Sequence, residues 1–268
     1  MALMDFLSRT VEGLFFEVSA RRYWRFEHFG LVGEPFLATA PDGSAINAWF
    51  LPAQPEDGRP VRASILHCHA CTHNMSFHLP QISWLVAAGY NVVMFDYRGV
   101  GESAGRLSLQ GLSEDARAVL EAALKRPAVA KGDVFLFGQG VGAEAAVKLA
   151  RDWPERVAGV VLESLYARHR TWMLRRYGPG VGHLCGALLP KGVEDPVSAL
   201  SAVRVPLVLV LPTKDKRTPE GEVSDVLHAA PKTREVWRAE GKKYLGVFDY
   251  PGEWRERFLS FLEAHTHA

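Results

Sequence analysis

The sequence predicts an α/β fold: a mostly parallel sheet of about eight strands, helices on both of its faces, and a small cap. Three observations carry this. Continuous apolar runs of five to seven residues recur at Ser64–Cys68, Asn91–Asp96, Asp133–Phe137, Val157–Leu162 and Val205–Leu211, the pattern of strands buried on both faces. Between most of them lie stretches with apolar residues at helical spacing. Strand and helix therefore alternate along the chain, as they do in a parallel sheet covered on both sides.

Composition narrows the class. A length of 268 residues suits one large α/β domain or two small ones. No internal repeat divides the chain, so a helical segment over 1–34 is expected to precede a single α/β domain over 35–268. A net charge of +1 gives no bulk attraction for nucleic acid, which is not expected as a partner. Three cysteines, Cys68, Cys71 and Cys185, cannot all pair within the chain and fit a reducing compartment. Asp5, Arg9 and Glu12 interrupt the apolar N-terminus, and no apolar run approaches the ~20 residues of a membrane span. A cytoplasmic protein is expected.

Each element has its own reason. Leu3, Met4, Leu7, Val11, Leu14, Phe15 and Val18 recur at helical spacing, which predicts an amphipathic N-terminal helix. Arg21, Arg22 and Arg25 follow it among Tyr23, Trp24 and Phe26. Such a helix packs on its own domain or serves as a peripheral membrane or partner contact. Phe36–Ala40 and Ile46–Leu51 are strands joined at Pro41-Asp42-Gly43, a strong turn signal. A helix over Leu79–Ala88 ends at Gly89, and Ser113–Lys125 is a second helix. Residues 164–190 break the alternation with aromatic, basic and glycine-rich sequence and are expected to cap the sheet edge. Glu235–Arg238 is a last strand and Trp254–Ala264 a closing amphipathic helix.

The stretch 133–150, DVFLFGQGVGAEAAVKLA, reads as strand, tight glycine turn and helix. That is the setting of the nucleophile elbow, G-x-S-x-G, which lifts a serine above the carboxyl end of a parallel sheet. Here Gly140 stands at the serine position, between Gln139 and Val141.

From about residue 35 to 262 these segments resemble the α/β-hydrolase superfamily, in particular its serine-aminopeptidase-like small serine hydrolases. The most specific match is GYNVVMFDYRGVGES, residues 89–103, which looks like the family's strand and turn ahead of the elbow. His69-Ala70 stands where such enzymes carry His-Gly, at the loop that supplies one oxyanion-hole amide. Leu211–Asp215 looks like the acid loop, with Asp215 in the acid position, and Glu240–Lys243 occupies the place of the histidine loop. The resemblance then implies slots for nucleophile, acid and histidine at Gly140, Asp215 and Lys242, a degenerate triad that keeps only the acid.

In a working triad the histidine takes the serine proton and the carboxylate orients the imidazole. A lysine beside a carboxylate has its ammonium form favoured and makes a poor base, so an Asp215–Lys242 ion pair is expected instead. Substitute nucleophiles are Ser103, Ser164, Cys68 and Cys71, of which Cys71 lies next to the oxyanion loop. The expectation is a pseudo-hydrolase that binds a small molecule or a protein at the old pocket, walled by His69, Ala70, Cys71, Gln139, Val141, Asp215 and Lys242, under the cap. A hydrolase with unorthodox residues is the alternative.

Two rival constellations remain. His67, His69, Cys71 and His73 are metal-ligand types crowded into one segment, yet their spacing matches no closed zinc pattern, so no metal site is expected. Gly138-x-Gly140-x-x-Ala143 between a strand and a helix satisfies a dinucleotide fingerprint, with Glu163 at the ribose-binding position. A serine-to-glycine change in an elbow produces the same pattern, and no cofactor is expected.

Overall fold

The computed structural model describes residues 2–55, 58, 60–70 and 72–267. In chain order the strands are β1 (Glu17–Val18), β2 (Glu34–Thr39), β3 (Ala45–Leu51), β4 (Ser64–Cys68), β5 (Thr72–His73), β6 (Asn91–Phe95), β7 (Val134–Gln139), β8 (Gly159–Glu163), β9 (Leu207–Pro212) and β10 (Glu235–Ala239). The helices are α1 (Ala2–Glu12), α2 (Met75–Ala87), α3 (Gly111–Ala123), α4 (Pro127–Ala130), α5 (Val141–Asp152), α6 (His169–Tyr177), α7 (Pro179–Leu188), α8 (Pro196–Leu200), α9 (Glu220–Ala229) and α10 (Glu253–Ala264).

Eight strands form one sheet in the order β10-β9-β8-β7-β4-β6-β3-β2. Among the described residues, β2–β3 and β3–β6 pair antiparallel and the other pairs of this sheet are parallel. The five central strands β4, β6, β7, β8 and β9 are buried along their whole length, because helices cover both faces. Leu79, Ile82 and Val86 of α2 and Phe258, Phe261 and Leu262 of α10 fill one side. Leu112, Ala116 and Val119 of α3 and Ala143, Ala146 and Val147 of α5 fill the other. The edge strands β2 and β10 mix buried and exposed positions, as edges facing water do.

The topology fixes where a site can form. After β4 the chain leaves to α2 on one face, and after β7 to α5 on the other, while β4 and β7 are neighbours in register Cys68↔Gly138. Their carboxyl ends therefore flank a topological switch point, where open α/β sheets place their crevice. The close approach behind it depends on Gly142, where a built Cβ would overlap the backbone carbonyl oxygen of Cys68. Backbone cannot yield as a flexible side chain does, so Gly142→Ala is expected to cost about 1–3 kcal/mol, read as a lowered melting temperature with unchanged secondary structure.

Three boundaries differ from expectation. The N-terminal helix stops at Glu12 instead of running to Val18. The Glu12 carboxylate is drawn inward to accept from the Leu109 N–H at 2.5 Å, and Gly13–Phe15 tightens into a 3-10 turn that buries Phe15. The helix expected from Leu79 begins at Met75, because the Asn74 side chain caps it by accepting from the Ser76 N–H. The cap is two helices, α6 and α7, broken at Gly178 (φ 79°) and restarted by Pro179. α1 packs on α7, and the short parallel pair β1–β5, separate from the main sheet, ties the N-terminal arm down.

Candidate functional site: the turn after β7

Gly140 sits in the switch-point crevice with φ 55° and ψ −120°, the strained strand-to-helix turn expected of an elbow. Its N–H donates to the Glu163 carbonyl at 2.9 Å. A Cβ built on Gly140 would overlap the Tyr244 hydroxyl oxygen. The phenol thus fills the space into which a side chain at 140 would point. With Phe15, Ser164, Trp172 and Thr218 it encloses a cavity of about 20 Å³ over the turn, room for about one water.

Asp215 follows β9 and is buried. Its Oδ1 accepts from the N–H groups of Arg217 at 2.7 Å and Thr218 at 3.2 Å. Its Oδ2 is enclosed and has no hydrogen-bond partner among the described residues. Ser164, held at φ 57°, likewise has a buried Oγ without a partner among the described residues. Arg217 stacks its guanidinium 4.9 Å from the Tyr244 ring centroid and pairs with Glu17 of β1 at 3.0 Å.

Lys242 is not the residue that meets the elbow. Among the described residues no Asp215–Lys242 ion pair forms. The Lys242 carbonyl accepts from the Lys214 N–H at 2.8 Å, and its ammonium acts on Asp249 instead. Tyr244, two places further on, reaches the turn because the loop after β10 bends through Gly241 at φ 72° and Leu245 at φ 57°. The only sequence signal for it was an aromatic residue in the loop that should carry the histidine.

Of the other expected wall residues, Val141 lines the cavity over the turn, whereas Gln139, His69 and Ala70 are buried away from it. His67 Nε2 lies 2.9 Å from the Gln139 Oε1, the Gln139 amide donates to Glu163 at 2.7 Å, and Glu163 also accepts from the Val247 N–H. Burial holds His67 well below its ordinary pKa and pushes the Glu163 carboxyl up to about 7. Glu163 therefore faces a buried chain and offers no free edge to a ribose, and Tyr244 covers the glycine a pyrophosphate would approach. His69 is buried, with Nδ1 2.7 Å from the Ala70 carbonyl and Nε2 3.6 Å from Asp96. Its ring stacks on His78, centroids 5.1 Å apart. Burial, then the neighbouring His69, brings His78 down to about 3. His73 faces elsewhere, toward Tyr23 at 3.0 Å. No group of three or more potential ligands converges among the described residues. Cys71 lies outside the described residues. Ser103 is structural: it donates to the Asp96 carbonyl and accepts from the Asn47 N–H.

A second buried polar cluster lies under the cap and left no trace in the sequence pattern. Glu144 of α5 is fully buried and takes bonds from Lys148, from the Tyr166 hydroxyl and from His169 at 3.1 Å. His169 Nδ1 meets Asp195 at 2.8 Å. Burial opposes charging His169, but the two carboxylates outweigh it and hold its pKa at about 9.

A family model described as serine aminopeptidase, S33, matches residues 59–191. The uncharacterized protein YfhR of Escherichia coli K12 is 30% identical over 227 residues, covering 84% of this chain and 78% of YfhR. The chain belongs to the α/β-hydrolase superfamily. Superfamily members of solved structure share its fold at low identity. The Pyrococcus furiosus esterase Pf2001 matches with TM-score 0.73 at 18% identity, over 91% of this chain and 96% of its own. An α/β hydrolase from Vibrio vulnificus matches with TM-score 0.73 at 17% identity, over 97% and 94%.

Proposed function

We propose that this α/β-hydrolase chain is a non-catalytic homologue whose elbow is closed by its own tyrosine. The observation that carries the reading is the overlap between the Tyr244 hydroxyl and any side chain at position 140. Glycine offers no nucleophile. A tyrosine in the histidine place offers no imidazole nitrogen to take a proton from a nucleophile. Asp215 keeps the acid position, but its Oδ2 has no imidazole to orient. A cavity the size of one water also takes no substrate while Tyr244 stays in place. Binding at the old pocket would require that ring and the Arg217 stacked on it to leave together.

A second reading rests on Ser164, whose strained backbone and unpartnered Oγ line the same cavity. It would make the chain a hydrolase with a displaced nucleophile. One experiment separates the two. The purified chain is treated with a fluorophosphonate probe, mapped by mass spectrometry, and assayed with p-nitrophenyl acetate. The expected result is no adduct and no turnover above buffer. A stoichiometric adduct on Ser164, with turnover lost in Ser164→Ala, would replace the first reading with the second.

A further inference from the structure

We propose that the outer face formed by α1 and α7 docks on an anionic lipid bilayer. This rests on the exposed surface alone and stands whether or not the elbow is catalytic. Leu3, Met4 and Phe6 on α1 and Val181 and Leu184 on α7 are each more than half exposed. They are not scattered, because α1 packs against α7. α7 turns Gly182, Cys185 and Gly186 inward and, within PGVGHLCGAL, carries no Lys, Arg, Asp or Glu. Each helix thus buries one apolar face and presents another, where a monomer in water would place charge.

The charge beside this ridge selects the occupant. Residues 164–190 include four arginines and no acidic residue. Arg168 is matched by Asp225, and Arg175 by Glu222. Among the described residues Arg170 and Arg176 have no carboxylate within ion-pair distance. Arg170 is exposed, and its stem packs against the inner side of α7, 3.6 Å from where a Cβ on Gly186 would stand. Arg176 lies over the Tyr177 ring, 5.8 Å from its centroid, and the Tyr177 hydroxyl bonds the Leu14 carbonyl at the end of the α1 segment. Protruding leucine, methionine and phenylalanine beside unmatched arginines are what an interfacial helix presents to acyl chains and anionic head groups. A protein partner would more commonly find a recessed pocket for an anchoring side chain.

The test is co-sedimentation of the full chain with vesicles of phosphatidylcholine alone or mixed with phosphatidylglycerol, at low and high salt. Partitioning to the anionic vesicles, weakened by salt, is expected. Arg170→Ala with Arg176→Ala should weaken it on the order of 25-fold, about fivefold for each charge. Phe6→Ser with Leu184→Ser should weaken it at least tenfold, whereas Leu37→Ser, equally exposed on edge strand β2, should leave it unchanged. All these positions are exposed, so melting temperatures should stay near the parent's. Failure to bind any vesicle overturns the proposal, as does binding insensitive to Phe6 and Leu184. A concentration-dependent dimer abolished by Leu184→Ser would overturn it too, by assigning the face to a second copy of the chain.

Discussion

Gly140→Ser combined with Tyr244→His should raise p-nitrophenyl acetate hydrolysis at least about 100-fold above the parent, if the proposed closed elbow is what silences the site. The double change removes the phenol that blocks position 140 and supplies an imidazole on the loop that reaches it. The imidazole also gives the unpartnered Asp215 Oδ2 an N–H to accept. Complete triads are worth about a million-fold. A shortfall is expected because the resemblance implies an oxyanion-hole amide at the His69-Ala70 loop, where Ala70 stands in place of the family's glycine, and one lost donor costs roughly 10²–10³ in rate. Two controls sharpen the result. Gly140→Ser alone should stay inactive and melt lower, because the new side chain must push Tyr244 aside. Gly140→Ser with Lys242→His, the pairing suggested by sequence order, should also stay inactive. A folded Gly140→Ser, Tyr244→His protein that neither turns over ester nor takes up fluorophosphonate would refute the assignment of Tyr244 to the histidine place.

His169→Gln should cost about 3–5 kcal/mol of stability at neutral pH. The substitution takes the cation away from Glu144 and Asp195 and leaves a fully buried carboxylate with Lys148 as its remaining countercharge. For a chain of this size that corresponds to a melting temperature roughly 10 °C lower. The pH dependence gives an independent readout. The folded pKa of about 9 lies above the unfolded value near 6.5, so the native state binds the extra proton between them. The stabilisation, on the order of 3 kcal/mol, is therefore fully present below pH 6.5 and lost as pH rises through 9. The parent's melting temperature should fall more steeply across that window than the variant's. Equal slopes in the two proteins would mean that His169 is neutral between its carboxylates.

The sequence made the sheet legible because five strands are apolar on both faces, and a continuous run such as Asn91–Phe95 needs no pairing partner to be recognised. The elbow was legible for a different reason: a Cβ at Gly138 would overlap α5 and one at Gly142 the end of β4, so both must be glycine, or nearly so, and they bracket the turn at Gly140. Asp215 was placed by its position after β9. What stayed hidden depends on contacts distant in sequence. Tyr244 lies in an irregular loop whose reach is set by two positive-φ residues. Phe15 is one of several apolar residues in a helical pattern until the structure stacks it on Trp172, centroids 4.6 Å apart. The β1–β5 ladder is two residues long, too short to leave a periodicity, and α9 has too few apolar positions to show one.

That short ladder has a consequence for cooperativity. A pair of two-residue strands cannot hold itself together in water. β1 stays paired because Glu17 meets Arg217, Ser19 donates to the His73 carbonyl, and Asn74 donates to the carbonyls of Ser19 and Arg21. Phe15, two residues upstream, is anchored at the same time against Trp172 and Tyr166. None of these contacts is strong, and each holds the arm in the geometry the others require. They therefore form and break as a unit, so detaching the arm would uncover Trp172, release Arg217 from Glu17 and open one wall of the chamber above Gly140 in a single step.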